Sequence, residues 1–515
     1  MKDMRFPAPE ELQKELKKFF KEKYGAEFTI NASPQPARKD EKEAKEEKPI
    51  DINFDLKPKD IKAFLDRYVI GQEEAKKILS IAVCDHYNHV SRCSKSGGCD
   101  DYTKQNIIMI GPTGVGKTYL IKNIAKLIGV PFVKADATKF SETGYVGGDV
   151  EDLVRDLVRR ADGNIKLAEY GIIYLDEIDK IATPRNIMGR DVSGRGVQMN
   201  LLKLMEETEV PQRTPFDIAS QLQAFMEFQT KGKVEKNTIN TKHILFVVSG
   251  AFNGLYEIVE RRIRNKRIGF GASFPQEDEK TNLLSKVRSS DFVQFGFEPE
   301  FIGRLPVHAV CHDLDVDHLY KILKDSEGSI IKQYIDDFKA YDIEVVFSEE
   351  GMRSIAEKAK HEQTGARGLL TVCEKVFRDF KYELPDSSVR HFVVTKEMVD
   401  NPAYELKKLF EDSAYIEKQF IHEHLKQYES AFFDRTGIRI TFDTQASDMI
   451  CERARKTGLS INELCDQILK NYEYGLNLIA GNNGNKEFIL TREVVENPTQ
   501  TLDRWVKDSY QQKRS

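Results

Sequence analysis

The chain has 515 residues, enough for more than one domain with a substantial core. Charged residues make up 31% of it, but the net charge is only −5, so no global basic field would drive nonspecific binding to nucleic acid. No apolar run approaches the length that crosses a bilayer, Met1–Glu10 has no secretory pattern, and the seven scattered cysteines suit a reducing compartment. We therefore expect a cytoplasmic protein with no membrane or nucleic-acid partner.

The first 56 residues differ in composition from the rest. Apolar residues spaced along Glu10–Tyr24 predict a short amphipathic helix, and the run Arg38–Lys48 is charged at every position except Ala44. Such a run cannot bury enough apolar surface to fold, so we expect residues 1–56 to be a flexible charged segment. The helix is interpreted either as a docking element for a partner or as a free tail.

An apolar turn opens the globular part of the chain. Tyr68–Gln72 precedes a helix with apolar residues at helical spacing, just upstream of a phosphate-binding motif. This position suits an adenine ring, so Val69 and Ile70 are candidate nucleotide contacts. The alternative is that these residues are ordinary core.

A phosphate-binding loop follows. Four apolar residues, Ile107–Ile110, predict a buried strand, and Gly111–Thr118 matches the pattern G-x-x-x-x-G-K-[ST]. In this pattern backbone N–H groups cradle phosphate oxygens, Lys117 reaches the β- and γ-phosphates, and the Thr118 hydroxyl takes a Mg²⁺ coordination position. We therefore expect ATP and Mg²⁺ as cofactors. The candidate contacts are Gly111, Pro112, Thr113, Gly114, Val115, Gly116, Lys117, Thr118 and Tyr119.

Two further predicted strands end in polar side chains. Gly171–Glu177 is an apolar strand that stops at two acids, and His243–Ser249 is an apolar strand that stops at a serine. Asp176 can hold Mg²⁺ through water, Glu177 can orient and activate the attacking water, and Ser249 is placed to sense the γ-phosphate. Alternating strands and helices predict an α/β fold with a parallel sheet, whose ligands lie beyond the carboxyl ends of the strands.

Four more motifs narrow the choice among nucleotide hydrolases. They are Gly144-Tyr145-Val146-Gly147, Arg190-Asp191-Val192-Ser193-Gly194, Glu300-Phe301-Ile302-Gly303-Arg304-Leu305-Pro306 and Thr364-Gly365-Ala366-Arg367-Gly368-Leu369. With the phosphate loop, they closely resemble the ClpX family of AAA+ unfoldases of the Clp protease system, over roughly residues 57–402. The resemblance implies an AAA+ large domain with a parallel sheet (57–312) and an α+β small domain (313–402).

The resemblance also implies a homo-hexameric ring with ATP bound between neighbouring subunits. Arg304 matches the arginine finger, whose charge would stabilise the transition state at the adjacent subunit's ATP. Arg367 matches the second sensor, a small-domain residue that contacts nucleotide and couples its state to domain rotation. With Glu177, these are the expected catalytic residues.

Protein substrates and a peptidase partner are implied by three shorter segments. Tyr145 and Val146 match the first pore loop, where an aromatic ring on a glycine-hinged loop grips a polypeptide by packing. Arg190 belongs to the match for the second pore loop. Ile268-Gly269-Phe270 matches the tripeptide with which the family docks on a ClpP-type peptidase.

The chain departs from the family pattern at two places before the small domain. No cysteine precedes Cys84, so we expect the family's N-terminal zinc-binding domain to be absent. Glu207–Asn240 replaces the family's basic loop at the pore entrance, although Lys231, Lys233 and Lys236 keep it basic. Recognition of the usual carboxyl-terminal degradation tags therefore stays open.

The region 403–515 extends beyond the family pattern and repeats the small domain. Ile343–Pro402 and Ile438–Pro498 share a strand, a helix and a second strand, with matching residues at an offset of 95 and, after one insertion, 96. Asn462 aligns with Arg367, so the copy lacks the arginine that would contact nucleotide. We predict a duplicated small domain joined by one amphipathic helix, Ala403–Phe433; chance similarity of two α/β units is the alternative.

The leading hypothesis is an ATP-driven unfoldase that threads polypeptides through a ring pore, into a peptidase docked at Ile268–Phe270. One alternative is a stand-alone remodeller of protein complexes without a peptidase. A nucleic-acid motor or clamp loader is disfavoured by Tyr145 between glycines and by the lack of a basic charge balance. A scaffold that binds ATP without hydrolysis is disfavoured by Glu177 and Arg304.

Overall fold

The computed structural model describes residues 54–96, 104–141, 148–183, 194–212, 238–264 and 283–512. The candidate pore residues Tyr145, Val146 and Arg190 lie outside these ranges, as does the candidate docking tripeptide Ile268–Phe270. Among the described helices, none combines the length and the apolar character needed to cross a membrane.

Helices make up most of the described chain. Residues 58–303, which include the phosphate loop, contain α1 Pro58–Tyr68, α2 Glu73–Ser96, α3 Lys117–Ile128, α4 Asp152–Arg160, α5 Ile165–Ala168, α6 Gly194–Met205, α7 Leu255–Arg264, α8 Ser289–Phe295 and α9 Pro299–Gly303. The remainder contains α10 Val316–Lys324, α11 Ile330–Lys339, α12 Glu349–His361, α13 Arg367–Glu383, α14 Lys396–Asp400, α15 Pro402–Glu411, α16 Ser413–Thr436, α17 Thr444–Thr457, α18 Ile461–Ile468, α19 Tyr472–Asn483, α20 Arg492–Glu496 and α21 Pro498–Gln512.

The strands are short and form one large sheet and three pairs within the described residues. They are β1 Ile107–Ile110, β2 Phe132–Asp136, β3 Ile172–Asp176, β4 Glu209–Pro211, β5 Thr238–Asn240, β6 Leu245–Gly250, β7 Val307–Val310, β8 Glu344–Phe347, β9 His391–Val394, β10 Arg439–Phe442 and β11 Glu487–Leu490. Short 3₁₀ turns lie at Ala137–Lys139 and Ile178–Ile181.

The large domain is built on a five-stranded parallel sheet in the order β2-β3-β6-β1-β7, which confirms the predicted α/β class. Alternate residues enter two hydrophobic cores, one on each face. Ile107 and Met109 face the core with α1–α3, whereas Ile108 and Ile110 face the core with α4 and α6–α9. Because the strands are parallel, the carboxyl ends of β1, β3 and β6 meet at one edge.

One predicted strand is displaced. The expected strand His243–Ser249 begins two residues later, at Leu245, and includes Gly250. Ile244 is part of a turn, because its N–H donates to the carbonyl oxygen of Thr241 at 3.1 Å. The shift leaves Ser249 near the carboxyl end of β6, as the sequence predicts.

Residues 313–402, the predicted small domain and called the small domain below, continue the core that covers the α1–α3 face of the sheet. Its two strands, β8 and β9, pair in parallel and pack on α10–α14. Ser348 accepts a hydrogen bond from the N–H of Gly351 and so caps helix α12, and Thr395 caps α14 through the N–H of Met398.

The C-terminal region resembles the small domain in having two parallel paired strands separated by helices, although three helices (α17–α19) lie between its strands and only two (α12 and α13) between those of the small domain. Strand pairing joins Glu344 with His391 in the first unit and Arg439 with Glu487 in the second, positions that differ by the predicted offsets of 95 and 96. The Ser348 cap of the first unit corresponds to Asp443, which caps α17 in the second. These equivalent positions favour duplication, which stays a prediction.

The predicted single linker helix Ala403–Phe433 is wrong. The structure has two helices, α15 and α16, that meet at Asp412, whose backbone is not helical, with φ −133° and ψ 77°. Phe420 of α16 packs with Val346 and Val393 on the outer face of the small-domain sheet. Further along, α16 contributes to the separate core of the C-terminal region, so one helix belongs to both units.

Candidate functional site

Three glycines allow the phosphate loop to fold between β1 and α3. Gly111, Gly114 and Gly116 have φ values of 152°, 80° and 98°, a region in which other residues are strained. A Cβ on Gly111 would collide with the carbonyl oxygen of Cys311, and one on Gly114 would collide with that of Thr364. The glycines therefore permit close contact with Cys311, just after β7, on one side and with the small domain on the other.

Lys117 opens helix α3 and is only 8% exposed. Its Nζ donates hydrogen bonds to the carbonyl oxygens of Gly111 and Pro112, both at 2.7 Å. Burial lowers the pKa of this lysine. The ammonium group is thus held within the loop, where charged phosphate oxygens would be stronger acceptors than the two carbonyls.

A chain of hydroxyl groups links the phosphate loop to the second motif. Thr118 Oγ1 donates to Tyr174 at 3.2 Å, the Tyr174 hydroxyl donates to Ser249 at 2.7 Å, and Ser249 donates to Asp176 Oδ1 at 2.6 Å. Tyr174 and Ser249 are fully buried. Three elements, α3, β3 and β6, therefore share one polar network at the edge of the sheet.

Asp176 and Thr118 fit a magnesium site. Both offer oxygen atoms, which Mg²⁺ prefers, and the Nζ of Lys134 lies 3.1 Å from Asp176 Oδ2 and 3.4 Å from Thr118 Oγ1. Burial alone would raise the pKa of Asp176, but hydrogen bonds from Ser249 and Lys134 outweigh it and hold this pKa below its usual value. The carboxylate is therefore ionised at neutral pH, and a cation already stands beside it.

Glu177 is exposed and directly follows β3. Its backbone is left-handed, with φ 56° and ψ 33°, an uncommon conformation for a residue other than glycine. Its N–H donates to Asp176 Oδ1 at 3.2 Å, which turns the chain sharply after the strand. Backbone strain of this kind clusters at functional sites, where the surrounding structure maintains it.

The candidate residues surround a cavity of about 650 Å³ between the large and small domains. Val69, Ile70, residues 113–119, Asp176, Glu177 and Arg367 line it, whereas Gly111 and Pro112 do not. The cavity also involves eleven residues that the sequence analysis did not assign: Asp179, Lys180, Gly250, Ala251, Asn253, Leu314, Ile322, Ser326, Gly328, Ile330 and Leu370. A larger cleft of about 1120 Å³ lies between the small domain and the α16–β10 region and contains none of the phosphate-loop residues.

The small domain contacts the phosphate loop directly. The N–H of Ala366, next to Arg367, donates to the carbonyl oxygen of Gly114 at 2.9 Å. Ser326 Oγ donates to the carbonyl oxygen of Tyr68 at 2.8 Å, which ties the adenine-side turn to the small domain. A side chain on Gly328 would collide with the Tyr119 hydroxyl. Movement of the small domain would therefore alter the cavity from two sides.

Arg304 lies outside this cavity. It is exposed, and its guanidinium pairs with Glu206 at 2.6 Å. Its carbonyl oxygen accepts a hydrogen bond of 3.1 Å from the side chain of Asn106, which also binds the N–H of Phe246. The backbone beneath Arg304 is thus anchored to the sheet, while its charged group pairs with Glu206 and does not line the chain's own cavity.

Two contributions to the site were missed. Tyr174 is a polar residue in an otherwise aliphatic buried strand, and a hydroxyl in that setting usually needs a partner, so its position was a usable signal. Gln72 is buried, with left-handed φ of 60°, and its side-chain amide exchanges two hydrogen bonds of 2.7 Å with the backbone of His312. Nothing in the local sequence signals that pairing.

Tyr174→Phe tests the hydroxyl chain. We expect the fold to persist and Mg-nucleotide affinity to fall roughly three- to tenfold, because Thr118 and Ser249 lose a buried partner worth about 1 kcal/mol. Tyr87→Phe is the matched control, because Tyr87 is also fully buried and donates to the carbonyl oxygen of Tyr170 at 2.9 Å, away from the cavity. Nucleotide titration and thermal unfolding would separate the two: equal affinity loss in both variants would contradict a local role.

Comparison with known proteins places these features in context. A family model for the AAA domain (Cdc48 subfamily) matches residues 102–308. The chain is 42% identical over 353 residues to the ATP-dependent Clp protease ATP-binding subunit ClpX of Borrelia duttonii and of Borrelia recurrentis, covering 67% of this chain and 78% of each relative. It is also 42% identical over 361 residues to ClpX 3 of Methylococcus capsulatus, covering 67% of this chain and 81% of that relative.

Proposed function

Because the chain belongs to the ClpX family of AAA+ ATPases, we propose that it is an ATP-driven unfoldase that threads polypeptides through the pore of a homo-hexameric ring. The main observation that supports assembly into a ring is the position of Arg304. It is exposed and anchored to the sheet but does not line its own chain's cavity, so it is suited to a neighbour's nucleotide. Because each ATP site would need residues from two neighbouring subunits, the subunits could hydrolyse ATP one after another.

At each ATP site, the role that we propose for each residue follows from its position in the structure. Lys117 binds the β- and γ-phosphates, and Glu177, exposed at the cavity, orients and activates the attacking water. Thr118 and Asp176 would hold Mg²⁺, which neutralises phosphate charge when bound. Arg304 of one subunit supplies positive charge to the transition state of the next.

Arg367 is proposed to report the nucleotide state to the small domain. It lines the cavity at the start of α13, one residue after the Ala366 N–H that binds Gly114. Changes at the γ-phosphate can therefore rotate the small domain against the phosphate loop. In the proposed mechanism this rotation moves the pore loops carrying Tyr145, Val146 and Arg190 and pulls the polypeptide.

A ClpP-type peptidase is the proposed partner, docked through Ile268-Gly269-Phe270. The support is the match of this tripeptide and the names of the relatives, which are subunits of a Clp protease. Two exposed apolar side chains that fill a partner's pocket would be sufficient anchors.

Degradation of fluorescein-labelled casein tests this partner. We expect the wild-type chain, with ATP and the ClpP of the same organism, to accelerate casein cleavage, and Phe270→Ala to abolish the acceleration while retaining ATPase activity. Phe274→Ala, in the same tract, is the matched control and should behave as wild type.

A stand-alone remodeller is the second candidate. The C-terminal region, with α16 packed on the small-domain sheet, favours a specialised client or attachment site. If wild type hydrolyses ATP but never stimulates ClpP, the peptidase proposal fails and this second function replaces it.

A further inference from the structure

Lys134 is a cation that the roles above do not use. It lies on β2, the edge strand of the large sheet, where it pairs in register with Tyr174. Its side chain is 41% exposed, and its Nζ lies within hydrogen-bond reach of both Asp176 Oδ2 and Thr118 Oγ1. The ammonium group therefore contacts the two side chains that fit Mg²⁺.

The other hydrogen bonds of Asp176 and Thr118 determine which of their oxygen atoms are available to Lys134. Asp176 Oδ1 already accepts hydrogen bonds from Ser249 and from the N–H of Glu177, which leaves Oδ2 to Lys134. The Thr118 hydroxyl donates its proton to Tyr174, so its lone pairs are what it offers to Lys134. A metal ion bound at those oxygens would lie next to the ammonium group, and the two positive charges would repel each other at that short distance.

Within the described residues, few other side chains are available as metal ligands. In the part of the chain that the structure describes, no group of three or more histidine, cysteine, aspartate or glutamate side chains could hold a metal ion. Mg²⁺ is commonly bound by one or two protein oxygens together with substrate phosphates. Under those conditions a single nearby ammonium can decide whether the metal binds without nucleotide.

We propose that the ammonium group of Lys134 acts as a built-in counter-cation at the nucleotide site. It prevents free divalent metal ions from binding there and is displaced by Mg²⁺ only when the metal binds together with ATP. This rests on the proposed nucleotide site and adds an order of binding to it. The lysine can withdraw without disturbing the core, because its flexible stem is partly exposed on an edge strand. The ordinary alternative is a solvent-exposed ion pair that contributes little.

Binding of MnCl₂ to the nucleotide-free full chain tests the proposal, with free Mn²⁺ followed by electron paramagnetic resonance. We expect Lys134→Met and Lys134→Gln to bind Mn²⁺ roughly tenfold more tightly than wild type, because a like charge next to the metal is removed. Lys134→Arg, which keeps the charge, should bind as weakly as wild type. Lys139→Met is the matched control for net charge, since Lys139 is exposed beyond the end of β2.

The site of the gained binding is checked by adding Asp176→Asn to Lys134→Met, which should return the affinity to the wild-type value. Equal Mn²⁺ affinity in wild type and both neutral variants would overturn the proposal, as would an equal gain in Lys139→Met. The measurement contains no nucleotide, so it stands apart from the proposed function. If the wild-type chain had no ATPase activity, the proposed function would be refuted, but the measured Mn²⁺ affinities would be unchanged.

Discussion

Glu177→Gln should leave ATP bound but lower its turnover by about 10²–10⁴-fold, the usual contribution of a positioned general base. The amide has the shape of the carboxylate but cannot accept the proton of the attacking water. Because Glu177 is exposed after the end of β3, the change removes no core packing. Steady-state phosphate release and titration with a fluorescent ATP analogue measure the two quantities separately.

Glu257→Gln is the control for that experiment, as an exposed glutamate on α7 that does not line the nucleotide cavity. It should retain both turnover and binding. Undiminished phosphate release by Glu177→Gln would exclude Glu177 as the base. Loss of ATP binding in the same variant would instead assign Glu177 to nucleotide binding.

Arg304→Ala should lower turnover by about 10³–10⁵-fold, the range found when an arginine finger is removed. Binding of ATP should persist, because Arg304 does not line its own cavity. Stability should change little, since its pair with Glu206 is exposed on both sides. Glu206→Gln therefore serves as the control and should keep turnover within about fivefold of wild type.

Mixing the two inactive variants distinguishes action in trans from action within one chain. A ring assembled from Arg304→Ala and Glu177→Gln subunits contains interfaces in which an intact Glu177 faces an intact Arg304. With random assembly this holds at about one interface in four, so mixing should restore measurable turnover. No recovery in rings shown to contain both variants would mean that Arg304 acts within its own subunit.

The sequence was most informative where a single segment carries the geometry. The phosphate loop follows from a buried strand, a glycine pattern and a helix that are contiguous in the chain, and Asp176 and Glu177 follow from the end of a second buried strand. Residues 113–119, Val69 and Arg367 line one cavity, even though more than 200 residues separate the ends of this set. Motif resemblance supplied that long-range grouping, which local patterns do not contain.

What could not be predicted depends on strand register and tertiary contact. Tyr174 joins Thr118 to Ser249 only because β3 pairs with β6 and contacts helix α3. Lys134 reaches Asp176 only because β2 pairs with β3 in the observed register. The helix break at Asp412 was missed for another reason. Apolar spacing continues across it and predicts one helix, although Asp412 and Ser413 are residue types that favour the start of a new helix.

Helix α16 has the dimensions of a lever arm. Its 24 residues span about 36 Å, with Ile416 near its start in the small-domain core and Phe432 near its end in the C-terminal core. If the small domain turned by about 10°, the far end of such an arm would travel roughly 6 Å. An angular change too small to follow at the cavity would thus become a displacement that a pair of distance probes can measure.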